Sequence, residues 1–330
     1  MDQTRDGITL IFMSNLHPEL ALQHDPQTGR YIIMFDASIY KESSCSRKLF
    51  YKLIRGLRSS TKEFKMEYGT AFHKSMVEFY TTGNLDNMIK LATDHYCSPE
   101  IFIPETDWRT PANLVTTVVK YWQQYGEGKE RLVAVKDNEG KPILEKTFAI
   151  PYYQDDLFEV LLTGTIDMIA LDNLTGYTLL VDHKTTSLTQ VDNYLNSYYL
   201  SPQLMLYNYV YKLLFPENKS SVGCMINGIF INKTAKPIFK RSDVIVFSDE
   251  MIRRFEVHLD TTLMNLLNNL RLYLKGETFT SFPYNFTACD TKFGQCEFHR
   301  ICSMDSKEDQ ESLLESEFKK VTYDPTKFHE

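Results

Sequence analysis

Residues 158–186 read FEVLLTGTIDMIALDNLTGYTLLVDHKTT, and the fold is decided there. Asp172-Asn173-Leu174-Thr175-Gly176 is a turn, because Asn, Asp and Gly supply the left-handed backbone and the local hydrogen bonds that a chain reversal needs. Apolar runs flank it, Phe158–Leu171 before and Tyr177–Asp182 after, and read as the two strands of an antiparallel hairpin. Centring the turn between Leu174 and Thr175 sets Asp167 opposite Asp182. Directly opposed residues share a face with Cβ atoms roughly 5 Å apart. Lys184, two residues beyond Asp182, shares that face. Both carboxylates follow apolar runs: Leu161 and Leu162 precede Gly164 and Asp167, and Leu179-Leu180-Val181 lead into Asp182. Two carboxylates so close repel unless a cation lies between them. Mg²⁺ or Mn²⁺, held by oxygen ligands, is the natural neutraliser. The plain alternative is a half-exposed hairpin with a surface salt bridge.

Working outward, Gln154-Asp155-Asp156 is an earlier turn and Ile143–Tyr152 an earlier strand. Upstream, Leu49, Leu53 and Leu57 at helical spacing predict a helix over Ser43–Arg58, and a second helix spans about Glu67–Tyr80 with Gly69 and His73 near its start. Residues 85–140 read as a helical insertion, in which Pro111 can open a helix followed by Val115, Val119 and Trp122. Downstream, Ser201-Pro202 starts a helix that puts Gln203 and Tyr207 on one face and closes before Pro216. Val222–Ile231 is a fourth strand and Asp249–Lys275 a long helix. The order is helix, three antiparallel strands, helix, strand: an α/β sandwich with helical additions.

The 330 residues are 43% hydrophobic and 24% charged, an ordinary globular balance that excludes a disordered or fibrous chain. Met1–Asp6 has mixed charge, with no export signal, and Asn193–Tyr211 is too polar for a membrane span, so a cytoplasmic or nucleoid-associated setting is expected. The six cysteines are then thiols or metal ligands before they are disulfides. The net charge of −7 by itself argues against a nucleic-acid binder.

Taken together, these residues resemble the PD-(D/E)XK nuclease superfamily of the RecB-like exonuclease type. Gly69-x-x-x-His73 looks like its helix motif, Gly164-Thr165-Ile166-Asp167 its second-strand motif, Asp182-His183-Lys184 its D-x-K motif, and Gln203-x-x-x-Tyr207 its Q-x-x-x-Y motif. The motifs occur in family order from about Ser38 onward, and none covers the insertion. The resemblance implies a restriction-endonuclease-like core, a mixed sheet flanked by helices, with a C-terminal helical and cysteine segment. The nuclease domain then spans 43–302, after an extended lead-in at 1–42 and before an acidic, helical tail at 303–330 that ends in an extended Tyr323-Asp324-Pro325. His73, Asp167, Asp182 and the backbone carbonyl of His183 would hold Mg²⁺ or Mn²⁺. Lys184 would orient water and stabilise the transition state, with Gln203 and Tyr207 positioning a phosphate or that lysine. Glu67 and Glu78, near His73 in sequence, are further ligand candidates, though both also read as helix-surface carboxylates.

Cys45, Cys289, Cys296 and Cys302, one early and three late, resemble the four-cysteine iron–sulfur variant of these nucleases. Four thiolates suit a [4Fe–4S] cluster or a structural Zn²⁺, and a metal-free set is the third option. His299 is a spare ligand, and Cys97 and Cys224 read as ordinary buried cysteines. Between Cys45 and Lys65, Arg47, Lys48, Lys52, Arg55, Arg58, Lys62 and Lys65 face Glu63 alone, with Phe50, Tyr51 and Phe64 interleaved. That pattern suits DNA binding, with Arg47, Lys48, Lys52, Arg55 and Arg58 as the contacts, or a solvated helix face. Lys233, Lys236, Lys240 and Arg241 form a second basic run. Eight acids against four lysines from Ser303 to Glu330 offset these patches in the total charge. The expected function is a metal-dependent deoxyribonuclease. It would be an exonuclease acting on DNA ends or single strands in replication, recombination or repair, alongside a helicase or recombination partner and away from membranes. A structure-specific or CRISPR-adaptation-type endonuclease, and a non-catalytic DNA-binding accessory protein, are the alternatives.

Overall fold

A computed structural model describes residues 20–59, 64–217, 222–277, 280–291 and 294–325. Lys62, residues 1–19 of the expected lead-in and residues 326–330 of the acidic tail lie outside them. In chain order the principal elements are β1 (Tyr31–Phe35), β2 (Leu57–Ser59), α1 (Phe64–Thr81), α2 (Leu85–Tyr96), α3 (Pro111–Tyr125), β3 (Leu144–Gln154), β4 (Phe158–Asp172), β5 (Thr178–Thr186), α4 (Pro202–Leu214), β6 (Gly223–Phe230), β7 (Ile238–Arg241), α5 (Asp249–Leu274), α6 (Lys307–Glu317) and β8 (Phe318–Lys320). The chain divides into two units. The first comprises the described residues of Met1–Ser60, Phe148–Gly164 and Glu256–Glu330; the second comprises those of Thr61–Thr147 and Thr165–Phe255.

The second unit is built on a mixed sheet. The hairpin register expected from the turn is the one found: β4 and β5 run antiparallel with Met168 opposite Val181 and Ile169 opposite Leu180. Strand β5 then runs parallel to β6, from Leu179 opposite Gly223 to Thr186 opposite Phe230. A parallel neighbour requires a crossover connection, and α4 supplies it. Strand β6 is buried along its whole length, which is why its sequence runs nearly continuously apolar. Strand β7 pairs antiparallel with β6, and Leu132–Ala134 with the end of β4. Helices α1, α2 and α3 cover one face, packing Tyr68, Phe72, Met88, Tyr96, Leu114 and Tyr121 into one cluster with Ile229. Helix α4 covers the opposite face, where the Cys224 thiol donates to Leu204 O. The insertion belongs to this core: the Tyr68 hydroxyl donates to Asn113 Oδ1, and Trp122 Nε1 to Gly83 O.

In the first unit the structure departs from two expectations. The lead-in is not merely extended: β1 is a parallel partner of β4, from Tyr31 opposite Phe158 to Phe35 opposite Leu162, and Ile33 and Phe35 are fully buried. The helix expected over Ser43–Arg58 is Ser46–Leu49 continued by a π turn over Phe50–Ile54, and it ends there. Gly56, at φ +62°, reverses the chain where a Cβ would meet Val321 O at 2.2 Å. Leu57 therefore sits in a strand, β2, which pairs antiparallel with β8. Apolar spacing of four predicts a helix only while the backbone stays right-handed. The C-terminal segment is folded onto this unit as well. Leu314 is buried, Phe318 stacks on Phe298 with centroids 5.0 Å apart, and Tyr323 donates to Asp36 Oδ2. Among the described residues no helix is long and apolar enough to cross a membrane.

Candidate active site

All the expected catalytic residues lie in the second unit. Asp167 is 7% exposed and Asp182 1%, each within a strand whose neighbouring residues are apolar. Asp167 Oδ2 accepts the His183 backbone N–H at 2.7 Å. Lys184 Nζ lies 2.9 Å from Oδ1 and 2.8 Å from Oδ2 of Asp182. Gln203, held on the first turn of α4 by the Ser201 cap and Pro202, reaches down to this pair. Its amide donates to Asp182 Oδ1 at 3.1 Å and to the Tyr207 hydroxyl at 2.8 Å, so both same-face residues of α4 are engaged.

His73 arrives from α1. Gly69 lets that helix close on β5, since a Cβ there would lie 2.9 Å from Thr185 Oγ1. His73 Nε2 sits 2.8 Å from His183 O. A carbonyl only accepts, so Nε2 carries the proton and, in the neutral ring, Nδ1 offers its lone pair. Nδ1 faces Asp167 Oδ2 at 3.5 Å and Glu145 Oε1 at 3.9 Å. One donor atom from each of His73, Glu145 and Asp167 lies within 4.8 Å of the others, the only such group among the described residues. The set offers one nitrogen and two carboxylates, donors that suit a divalent cation of the Mg²⁺ or Mn²⁺ type.

The charges are balanced against burial. Burial raises the Asp182 carboxyl to about 6, with Asp167 adding to the rise and Lys184 opposing it. Asp167 feels the same burial, yet His73 and Lys184, together with the His183 backbone N–H, hold it below the usual carboxylate range. Burial would lower Lys184, but Asp182 and Asp167 outweigh it and keep the ammonium protonated. Burial, then Asp167 and Asp182, push Glu145 up to about 8. The His183 ring lies on the other face, pushed down to about 3 by burial and receiving the Asn227 amide at Nδ1. It is therefore neutral. Behind it, Tyr80 stacks at 5.9 Å and donates to Glu130, which pairs with the half-buried Arg241.

Glu145 is the residue that sequence reasoning missed. Its signal is the earlier hairpin: the Thr147 and Thr165 hydroxyls lie 3.3 Å apart, and two residues further along each strand Glu145 comes across from Asp167. The acids considered instead serve the helical layer. Glu67 pairs with His95 at 2.8 Å, and Glu78 accepts from Thr82 and Asn87. Glu145 also has a left-handed backbone, φ +46°, which costs on the order of 1 kcal/mol in a non-glycine residue.

The other expected residues lie elsewhere. Cys45, Cys289, Cys296 and Cys302 are partly buried free thiols of the first unit. Cys296 N donates to Cys289 O at 2.8 Å, and the Asn285 side chain ties the Ser44 carbonyl to the same segment. Burial pushes the Cys302 thiol up to about 11, with Cys296, Cys45 and Cys289 all adding to the rise. Cys224 is buried as expected, but Cys97 is exposed. His299 begins a short helix ending at Cys302. The basic residues have partners inside the first unit: Lys48 and Lys52 pair with Glu42, Lys52 also with Glu297, and Arg55 with Glu311. Arg47 lies over Tyr284, and Arg58 over Tyr323. Phe50 and Tyr51 are core residues. In the second basic run, Lys240 pairs with Asp192.

A mixed sheet flanked by helices, presenting two opposed aspartates and a lysine from adjacent strands, defines a class of phosphodiester-cleaving proteins. The model of the PD-(D/E)XK nuclease superfamily matches residues 38–303, and the chain belongs to that superfamily. No curated protein matches the chain. Among solved structures it is similar to a protein assigned as an exonuclease from Eubacterium rectale, at 14% identity over 83% of this chain and 90% of that one, TM-score 0.46. It is also similar to an alkaline exonuclease from Laribacter hongkongensis, at 13% identity over 65% of this chain and 97% of that one, TM-score 0.27. Neither likeness adds to the assignment.

Proposed function

We propose that this nuclease is a divalent-metal-dependent deoxyribonuclease of the RecB-like type, an exonuclease working on DNA ends or single strands in replication, recombination or repair. The observation that carries the reading is the buried Asp182 paired with the half-buried Lys184, clamped by Gln203 and facing Asp167. His73, Asp167, Asp182 and the His183 carbonyl are the proposed metal residues. A divalent cation there would supply Lewis-acid polarisation of the scissile phosphate and acidify water. Lys184 stays charged, donates a hydrogen bond to the attacking water and offsets the negative charge that builds on the phosphate oxygens. Gln203, itself bonded to the Tyr207 hydroxyl, holds Asp182 and so fixes where the Lys184 ammonium sits. The test is cleavage of end-labelled single- and double-stranded DNA with Mg²⁺ or Mn²⁺. Asp182→Ala and Lys184→Ala should each abolish cleavage with circular dichroism unchanged. Undiminished metal-dependent degradation by both variants would sink the assignment. Cleavage of circular DNA would favour an endonuclease, and salt-sensitive binding without turnover an accessory protein.

We further propose that Cys45, Cys289, Cys296 and Cys302 hold a [4Fe–4S] cluster, with Zn²⁺ or a metal-free set as the alternatives. Anaerobically purified protein should be brown, with broad absorbance near about 400 nm that Cys302→Ser removes. Colourless protein holding stoichiometric zinc would reverse this.

A further inference from the structure

We propose that Glu145 is a further ligand of the divalent cation, joining His73 Nδ1 and Asp167 in a cluster of donors that come from three separate elements. The inference rests on the metal-dependent reading above and adds a ligand that none of the four family-like motifs contains. The geometry carries it. Around an octahedral Mg²⁺ or Mn²⁺ at about 2.1 Å from each donor, neighbouring donors lie about 3.0 Å apart and opposite donors about 4.2 Å. The His73 Nδ1 separations of 3.5 Å to Asp167 and 3.9 Å to Glu145 fall between these limits. One donor atom from each of the three residues lies within 4.8 Å of the others, so little movement would close them on one ion.

The nitrogen is already aimed. His73 Nε2–H is spent on the His183 carbonyl, which leaves Nδ1 facing the two carboxylates, the usual way a second partner orients a ligating imidazole. Asp182, proposed above as a further ligand, is held by Lys184 and Gln203 and lies outside this cluster of converging donors. Glu145 is thus the carboxylate that stands beside Asp167 at the His73 nitrogen. Its left-handed backbone points the same way, since it departs from the ordinary extended conformation at the start of β3.

The experiment is Mn²⁺ binding by the metal-stripped full chain, followed by the electron paramagnetic resonance signal of free Mn²⁺, with thermal unfolding alongside. Glu145→Gln keeps the shape and removes the charge. Glu145→Asn also tolerates the left-handed backbone but is too short to reach, and serves if the first variant misfolds. Asp167→Asn is the reference. Each Glu145 variant should weaken Mn²⁺ binding about tenfold or more and shrink the Mn²⁺-induced rise in Tm, while the metal-free Tm stays within a few degrees of wild type. Wild-type Mn²⁺ affinity in both Glu145 variants, with Asp167→Asn impaired, would overturn the inference and leave the nuclease reading standing. Wild-type affinity in all three variants would remove both.

Discussion

Asp36 shows how a single buried carboxylate is kept tolerable. Its side chain caps Ile39 N at 2.7 Å and accepts from Tyr323 Oη at 2.5 Å, 287 residues away in sequence. Burial raises its pKa, and both hydrogen bonds pull it back. Because the folded value lies above the unfolded one, Asp36 favours folding less as pH rises through the folded pKa. Tyr323→Phe keeps the ring under Arg58 but removes a donor from the charged form, so the folded pKa climbs further. Urea unfolding should show a loss of about 1–3 kcal/mol at pH 7 that is much smaller at pH 4. An equal loss at both pH values would contradict this account of Asp36. The same residue-scale balance operates at Asp182, a buried carboxylate that has the half-buried Lys184 as its partner.

At the scale of elements, what distinguishes this chain is how much structure its C-terminal segment contributes. An acidic run of low apolar content reads from sequence as a helical tail, yet α6 also delivers β8 to β2 and sets Phe318 against Phe298. Only a few apolar residues, Leu314, Phe318 and Tyr323, do this, and they are buried while the acids between them stay at the surface. Phe318→Ala should therefore cost about 3 kcal/mol or more, in the range for a deleted core aromatic. It should lower the midpoint of unfolding without touching the Asp167–Asp182–Lys184 arrangement. An unaltered midpoint would mean that the β2–β8 pairing contributes nothing. In the second unit the motif-bearing elements follow the sequence, while Leu132–Ala134, inside the expected helical insertion, is a strand paired with β4. The turn at Asp172–Gly176 fixes the register of β4 on β5, and the Ser201-Pro202 start places Gln203 and Tyr207.

At the scale of the whole molecule the net charge of −7 has to be reconciled with a polyanionic substrate. Asp167, Asp182 and Glu145 belong to a site that a divalent cation would neutralise, and the C-terminal acids lie partly on α6. The basic residues Arg47, Lys48, Lys52, Arg55 and Arg58 already have intramolecular partners, so a phosphate that binds them must displace Glu42, Glu297 or Glu311 or share their cation. DNA affinity should accordingly fall about tenfold or more between 50 and 200 mM salt for a handful of phosphate contacts. If Arg47 and Lys48 serve as contacts, replacing both should flatten that slope by about two units. A slope unchanged in the double variant would remove them from the DNA path. The sequence by itself determined the β4–β5 register, the sharing of one face by Asp167, Asp182 and Lys184, and the pairing of Gln203 with Tyr207. These depend on turn chemistry and on periods of two and 3.6 residues, which act over a few positions. Only the tertiary structure decided which nitrogen of His73 faces the acids, that Glu145 joins it, that β1 lies along β4, and which partners the basic residues take. Those outcomes depend on segments far apart in the chain closing on one another, and no local pattern encodes the packing that selects them.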